Sequence, residues 1–181
     1  MSKEFPTIGC CGIDCGLCPR FYTDGPSRCP GCGGENFADK HPPCSFHTCC
    51  HLRHDLESCA LCDEYPCSKY ADREKIEKDS FVTHRRMYAN HEDVARLGIE
   101  AFVAAREERR AILIRMLDGC DGGRSKSFYC VAAALLPQSE LEAAVDAAES
   151  ASTNVKIRAK FLHEALNTIA VRDGIDLRLR K

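Results

Sequence analysis

From Glu100 to Asp173 the apolar residues recur at helical spacing. In Glu100–Leu117 the residues Phe102, Val103, Ile112, Leu113, Met116 and Leu117 form an inward face. Arg106-Glu107-Glu108-Arg109-Arg110 turns to water, and Asp118-Gly119 is the expected stop. Ser125 or Ser127 is placed to cap a helix running through Leu136. Pro137 suits the first turn of another, with Leu141, Ala144, Val145 and Ala148 inward. Asn154 caps a last helix whose inward stripe is Ile157, Phe161, Ala165 and Ile169, ended by Asp173-Gly174. Upstream, Asn90 is the expected cap of a short helix that stops at Gly98, and a further helix is expected around Arg73 to Val82.

Before residue 71 this periodicity disappears. Seven of the eight prolines lie there, and proline removes the N–H that helix interiors and central strands require. The segment is expected to form loops, knuckles and short hairpins, with one or two helical turns around Phe46 to Leu56. The fold class that follows is mainly α: a small loop-rich Cys metal-binding module (residues 1–70) followed by an α-helical bundle-like half (residues 71–181). No internal repeat stands out.

Charge and hydropathy narrow the function. The 181 residues carry 25 basic and 27 acidic side chains, a net charge of −2. Without a basic excess, nucleic acid and anionic membranes are not indicated as partners. The longest apolar run, Val131 to Leu136, is far shorter than a bilayer span. Met1-Ser2-Lys3-Glu4-Phe5-Pro6 has no apolar signal core, so a soluble, cytoplasmic protein is expected. In a reducing compartment a cysteine framework points to metal or catalysis rather than to disulfides.

Of 14 cysteines, all but Cys120 and Cys130 lie at or before Cys67. Three Cys-x-x-Cys pairs stand out: Cys15/Cys18, Cys29/Cys32 and Cys59/Cys62. Two intervening residues let both sulfurs face one ion from a tight turn. In "CPGCGG" proline precedes the turn and glycine follows the second thiol, where positive φ is needed. Cys11 precedes the pairs, Cys44, Cys49 and Cys50 lie between them, and Cys67 follows in "EYPC". One grouping joins Cys15/Cys18 to Cys29/Cys32, and Cys59/Cys62 to Cys67 and one of Cys44, Cys49 or Cys50. Cys11 is then surplus, so an interleaved pairing stays open. The knuckle-like pairs favour zinc; an iron–sulfur cluster is the alternative, because four thiolates suit either. Cys11-x-x-x-Cys15-x-x-Cys18 also matches the thiol spacing of radical enzymes using a cubane cluster, but no α/β barrel follows it. His41, His47, His51 and His54 are read as a polar exposed helix face, with a replacement ligand as the other reading. In Cys10/Cys11 and Cys49/Cys50 the expectation is one ligand beside one spare thiol.

"CGIDCGLCP", "CPGC" and "CSFHTCCHLRHDLESCALCDEYPCSKY" together resemble a Cys-rich domain-of-unknown-function family of bacteria and archaea. The likeness covers about residues 8 to 70. "DGGRSKSFYC" followed by "AAALLP" resembles the helical C-terminal half of its longer members. The resemblance implies metal binding through Cys11, Cys15, Cys18, Cys29, Cys32, Cys44, Cys59, Cys62 and Cys67, with either Cys49 or Cys50 as the middle ligand. It carries no reaction.

"DGCDGGRSKSFYC" also offers Arg124, Ser125, Lys126 and Ser127 where a helix begins, an anion site in one reading and a helix cap with solvated charges in the other. The functional expectation is a metal-binding protein. Zinc stabilises the Cys-rich module, and the helical half offers a surface to a protein partner or small anionic ligand. An iron–sulfur redox protein or cluster-dependent enzyme, and a zinc-type nucleic-acid or protein adaptor, are the rivals. Sequence spacing assigns no catalytic group.

Overall fold

Proline and glycine set the backbone of the first seventy residues. The computed structural model describes residues 2–180. The early chain turns through short 3-10 segments at Cys15–Leu17, Pro19–Tyr22, Cys59–Leu61 and Ser68–Tyr70. Between them lie α1 (Phe37–Lys40), α2 (Ser45–His47) and a π-helical turn over Thr48–Arg53. The expected hairpins reduce to a single antiparallel bridge between Ile8 and Asp14. Gly12 (φ 87°) lets the chain pass against the next helix, because a Cβ there would lie 2.5 Å from the Met87 carbonyl oxygen.

The rest is helical: α3 (Arg73–Ile76), α4 (Met87–Leu97), α5 (Ile99–Cys120), α6 (Lys126–Leu135), α7 (Gln138–Ala151) and α8 (Val155–Arg172). The fold is mainly α, with the cysteines concentrated in the loop-rich beginning, as expected. The helix expected to reach Val82 ends at Ile76. Downstream, Asp79 accepts the His84 N–H at 2.7 Å, and its own N–H donates to the Arg180 carbonyl at 2.7 Å. These bonds draw the segment out of the helix. Asn90 is not a cap but a buried residue inside α4; its amide donates to the Gly12 carbonyl at 2.8 Å and its Oδ1 accepts from Arg106. Gly98 does end that helix.

α5 runs through Asp118-Gly119 to Cys120, which is fully buried and whose carbonyl accepts the Tyr129 hydroxyl at 2.8 Å. Two of the arginines expected in water lie inward. Arg106 pairs with Asp14, and Arg109 donates to the Ala133 and Leu136 carbonyls. Asn154 caps α8 through the Lys156 and Ile157 N–H groups. The inward stripe of α8 is Leu162, Leu166 and Ala170; Ile157 is 55% exposed. Both stripes repeat every four residues and lie about 100° apart, so periodicity alone does not choose between them.

The chain forms two compact units. One runs to Arg106 and includes Arg180; the other is Glu107–Leu179, so the division falls inside α5. In the second unit α7 packs along α8, with Leu141, Val145, Leu162 and Leu166 fully buried. In the first, one core cluster is built largely of sulfur: Cys10, Cys11, Cys32, Cys50 and Cys59 with Tyr70 and Met87. Among the described residues no helix is long and apolar enough to cross a membrane.

Candidate metal centre

The Cys-x-x-Cys turns close as their spacing requires. The Cys18 N–H donates to the Cys15 carbonyl at 3.2 Å, and the Cys62 N–H to the Cys59 carbonyl at 3.1 Å. Cys32 follows Gly31 (φ 88°), and its N–H donates to the Pro6 carbonyl at 2.8 Å. A side chain on Gly31 would collide with that same Pro6 carbonyl oxygen, so the knuckle needs glycine there. All the cysteines are free thiols.

The thiols border two cavities. Cys11, Cys15, Cys18, Cys29, Cys32 and Cys44 line the first, of about 280 Å³, with Phe37, Pro42, Phe81 and Val82 supplying apolar wall. Cys49, Cys50, Cys59, Cys62 and Cys67 line the second, of about 30 Å³, beside Tyr65 and Tyr70. Every cysteine singled out from spacing lies on one wall or the other. Cys15/Cys18 and Cys29/Cys32 share the first cavity. Cys11, left surplus by the spacing, lies there with Cys44. Cys49 and Cys50 both accompany Cys59, Cys62 and Cys67. An open hollow of about 350 Å³ touches both groups through Cys44 and Cys49, and is otherwise lined by Pro43, Ser45, Thr48, Arg53 and Lys69.

Of the adjacent pair Cys10/Cys11, only Cys11 borders a cavity. Cys10 is 1% exposed and accepts a hydrogen bond from the Cys32 thiol, the two sulfurs being 3.8 Å apart. Cys10, Cys32, Cys50 and Cys59 lie together in one buried cluster, in which the Cys50 thiol donates to the Leu56 carbonyl at 3.4 Å. Sequence spacing missed Cys10 because it lies outside any Cys-x-x-Cys pair. Its one signal was adjacency to Cys11. Among the described residues, no group of three or more His, Cys, Asp or Glu side chains is arranged to hold a metal ion.

Proton affinity differs along the chain. The hydrogen bond from Cys32, with the Cys50 thiol beside it, holds the Cys10 thiol well below its ordinary value, helped by Lys3 and His47 nearby. Cys59 is lowered by the neighbouring Cys50 thiol. Cys11 is pushed up to about 12 by burial, and burial raises Cys15 and Cys18 as well. Buried neutral thiols are poor nucleophiles. They ionise when a cation sits against them.

The histidines do not form one exposed face. His51 is buried and its ring lies 5.5 Å from His47, which is half-buried and tilts against Phe37 at 4.8 Å. His41 stacks on Phe37 and lines the first cavity; His54 lines the second. The π-helical turn carries His51 to the inner side, which a 3.6-residue wheel did not anticipate.

The Arg124–Ser127 loop is occupied by its own chain. Asp121 Oδ1 accepts the N–H groups of Gly123, Arg124 and Ser125 at 2.7–3.1 Å. The Ser125 hydroxyl is bonded to His163, so it does not cap α6, while Arg124 and Ser127 are exposed. Lys126 begins α6 half-buried. No protein-family model, curated protein or solved structure matches this chain.

Proposed function

We propose that this is a metal-binding protein whose first unit holds metal through cysteine thiolates, with zinc the favoured ion. The observation that carries the reading is the concentration of free thiols, buried and half-buried, on the two cavity walls. Both cavity walls are rich in sulfur and poor in carboxylate, which suits a soft or borderline cation rather than magnesium or calcium.

Metal here is a folding element. A core of thiols gains less from burial than one of leucine or isoleucine, and bound metal supplies the difference. The helical half would present a surface to a protein partner. A small anionic ligand is better served by the hollow with Arg53 and Lys69, which no carboxylate lines, than by the Arg124–Ser127 loop. The test is strong chelation of the full chain, followed by limited proteolysis. Cleavage concentrated before residue 71 supports the reading. An identical digestion pattern with and without metal would sink it.

A further inference from the structure

We propose that the two cavities take different groups: a polynuclear iron–sulfur cluster in the six-thiol cavity and a single zinc ion in the five-thiol void. This rests on the metal-binding reading above and deepens it. The first argument is size. The first cavity, about 280 Å³, is roughly nine times the second, about 30 Å³. A zinc ion brings no volume beyond its own ligand sphere. Four of the six thiols drawn around one ion would leave most of the larger cavity open. A cluster brings its own inorganic sulfides, which fill the middle while the protein supplies only the outer sulfurs.

The second argument is the distribution of ligands. In a polynuclear group the thiolates are divided among several metal atoms, so sulfurs spread over a wall all serve. The larger cavity draws its thiols from three separate stretches: Cys11 to Cys18, the Cys29/Cys32 knuckle, and Cys44. The void instead takes Cys59, Cys62 and Cys67 from one short stretch, with Cys49 and Cys50 from one π turn. That compact supply suits one ion.

The third argument is the wall. Ile13, Phe37 and Val82 give the larger cavity an apolar wall, and the exposed Phe81, with Arg20 over its ring at 5.2 Å, also borders it. The apolar surroundings of a cluster tune its potential.

The experiment uses the full chain, purified without oxygen and without a metal-affinity tag. Iron, acid-labile sulfide and zinc are measured per chain, with a Mössbauer spectrum. The expected result is several irons with matching sulfide and one zinc. Cys11→Ser with Cys15→Ser should lower iron and sulfide at least fivefold and leave zinc. Cys62→Ser with Cys67→Ser should do the reverse. Zinc in both places, or iron lost only with the second pair, overturns the inference while metal binding stands. A metal-free chain overturns both. If either variant fails to fold, the wild-type Mössbauer spectrum decides, since magnetically coupled iron supports the cluster and its absence contradicts it.

Discussion

Cys10 and Cys11 are neighbours in the chain and serve different surroundings. Cys11 borders a cavity, whereas Cys10 turns into the core to meet Cys32 and Cys50. Replacing Cys10 with Ala removes the acceptor of the Cys32 thiol and is expected to cost about 1–3 kcal/mol in urea unfolding. An unchanged midpoint would remove Cys10 from the account. Gly12→Ala should cost more than about 1 kcal/mol, because the position has φ 87° and the added methyl meets Met87 and His91. These two residues mark what spacing shows and what it does not. Knuckle cysteines announce themselves by a two-residue interval. Cys10 acquires its role only when residues 10, 32 and 50 are brought together.

At the scale of elements, α8 separates two stripes that look alike in sequence. Leu166→Ala should destabilise the protein by about 2–5 kcal/mol, since the side chain is fully buried. Ile157→Ala, on the exposed stripe, should change it by less than about 0.5 kcal/mol. Equal effects would contradict the orientation of this helix. The α6 start depends on Asp121 rather than on a serine. Asp121→Ala frees three N–H groups and should cost about 1–2 kcal/mol. The apolar inward faces of α5 and α7 were legible because their stripes are long, whereas the end of α5 was not, because the helix runs through Asp118-Gly119 to the buried Cys120. α3 and the Asn90 cap were misread because Asp79, Gly12 and Arg106, distant in sequence, supply the bonds that decide them.

One pH effect also belongs to this scale. His163 stacks on Phe128 at 4.1 Å and bonds to Ser125; burial lowers its pKa, with Asp121 opposing. The unfolded chain therefore binds this proton more readily than the folded one. The stability contributed by neutral His163 is present above about pH 6.5 and is lost as pH falls toward the lower folded value. His163→Gln should flatten that part of the stability profile. An unaltered slope would show that the ring's protonation is not linked to folding.

For the whole molecule, the composition places the change of character near residue 70, whereas the compact units divide inside α5 at Arg106. Composition reports where thiols replace aliphatic residues. Compactness reports which helices share a core, and α4 lies with the Cys-rich stretch through its Asn90–Gly12 bond. The candidate site was legible as a list of cysteines because their residue types and intervals are local facts. Their partition between two cavities was not, because it depends on where the turns lead. The central claim is that this sulfur-built core is completed by metal. Native mass spectrometry of the full chain, purified without oxygen and without a metal-affinity tag, tests it most directly. The account predicts a mass above that of the polypeptide by bound metal, reverting to the polypeptide mass after denaturation in acid. A native mass equal to that of the bare chain, from protein that is folded, would contradict it.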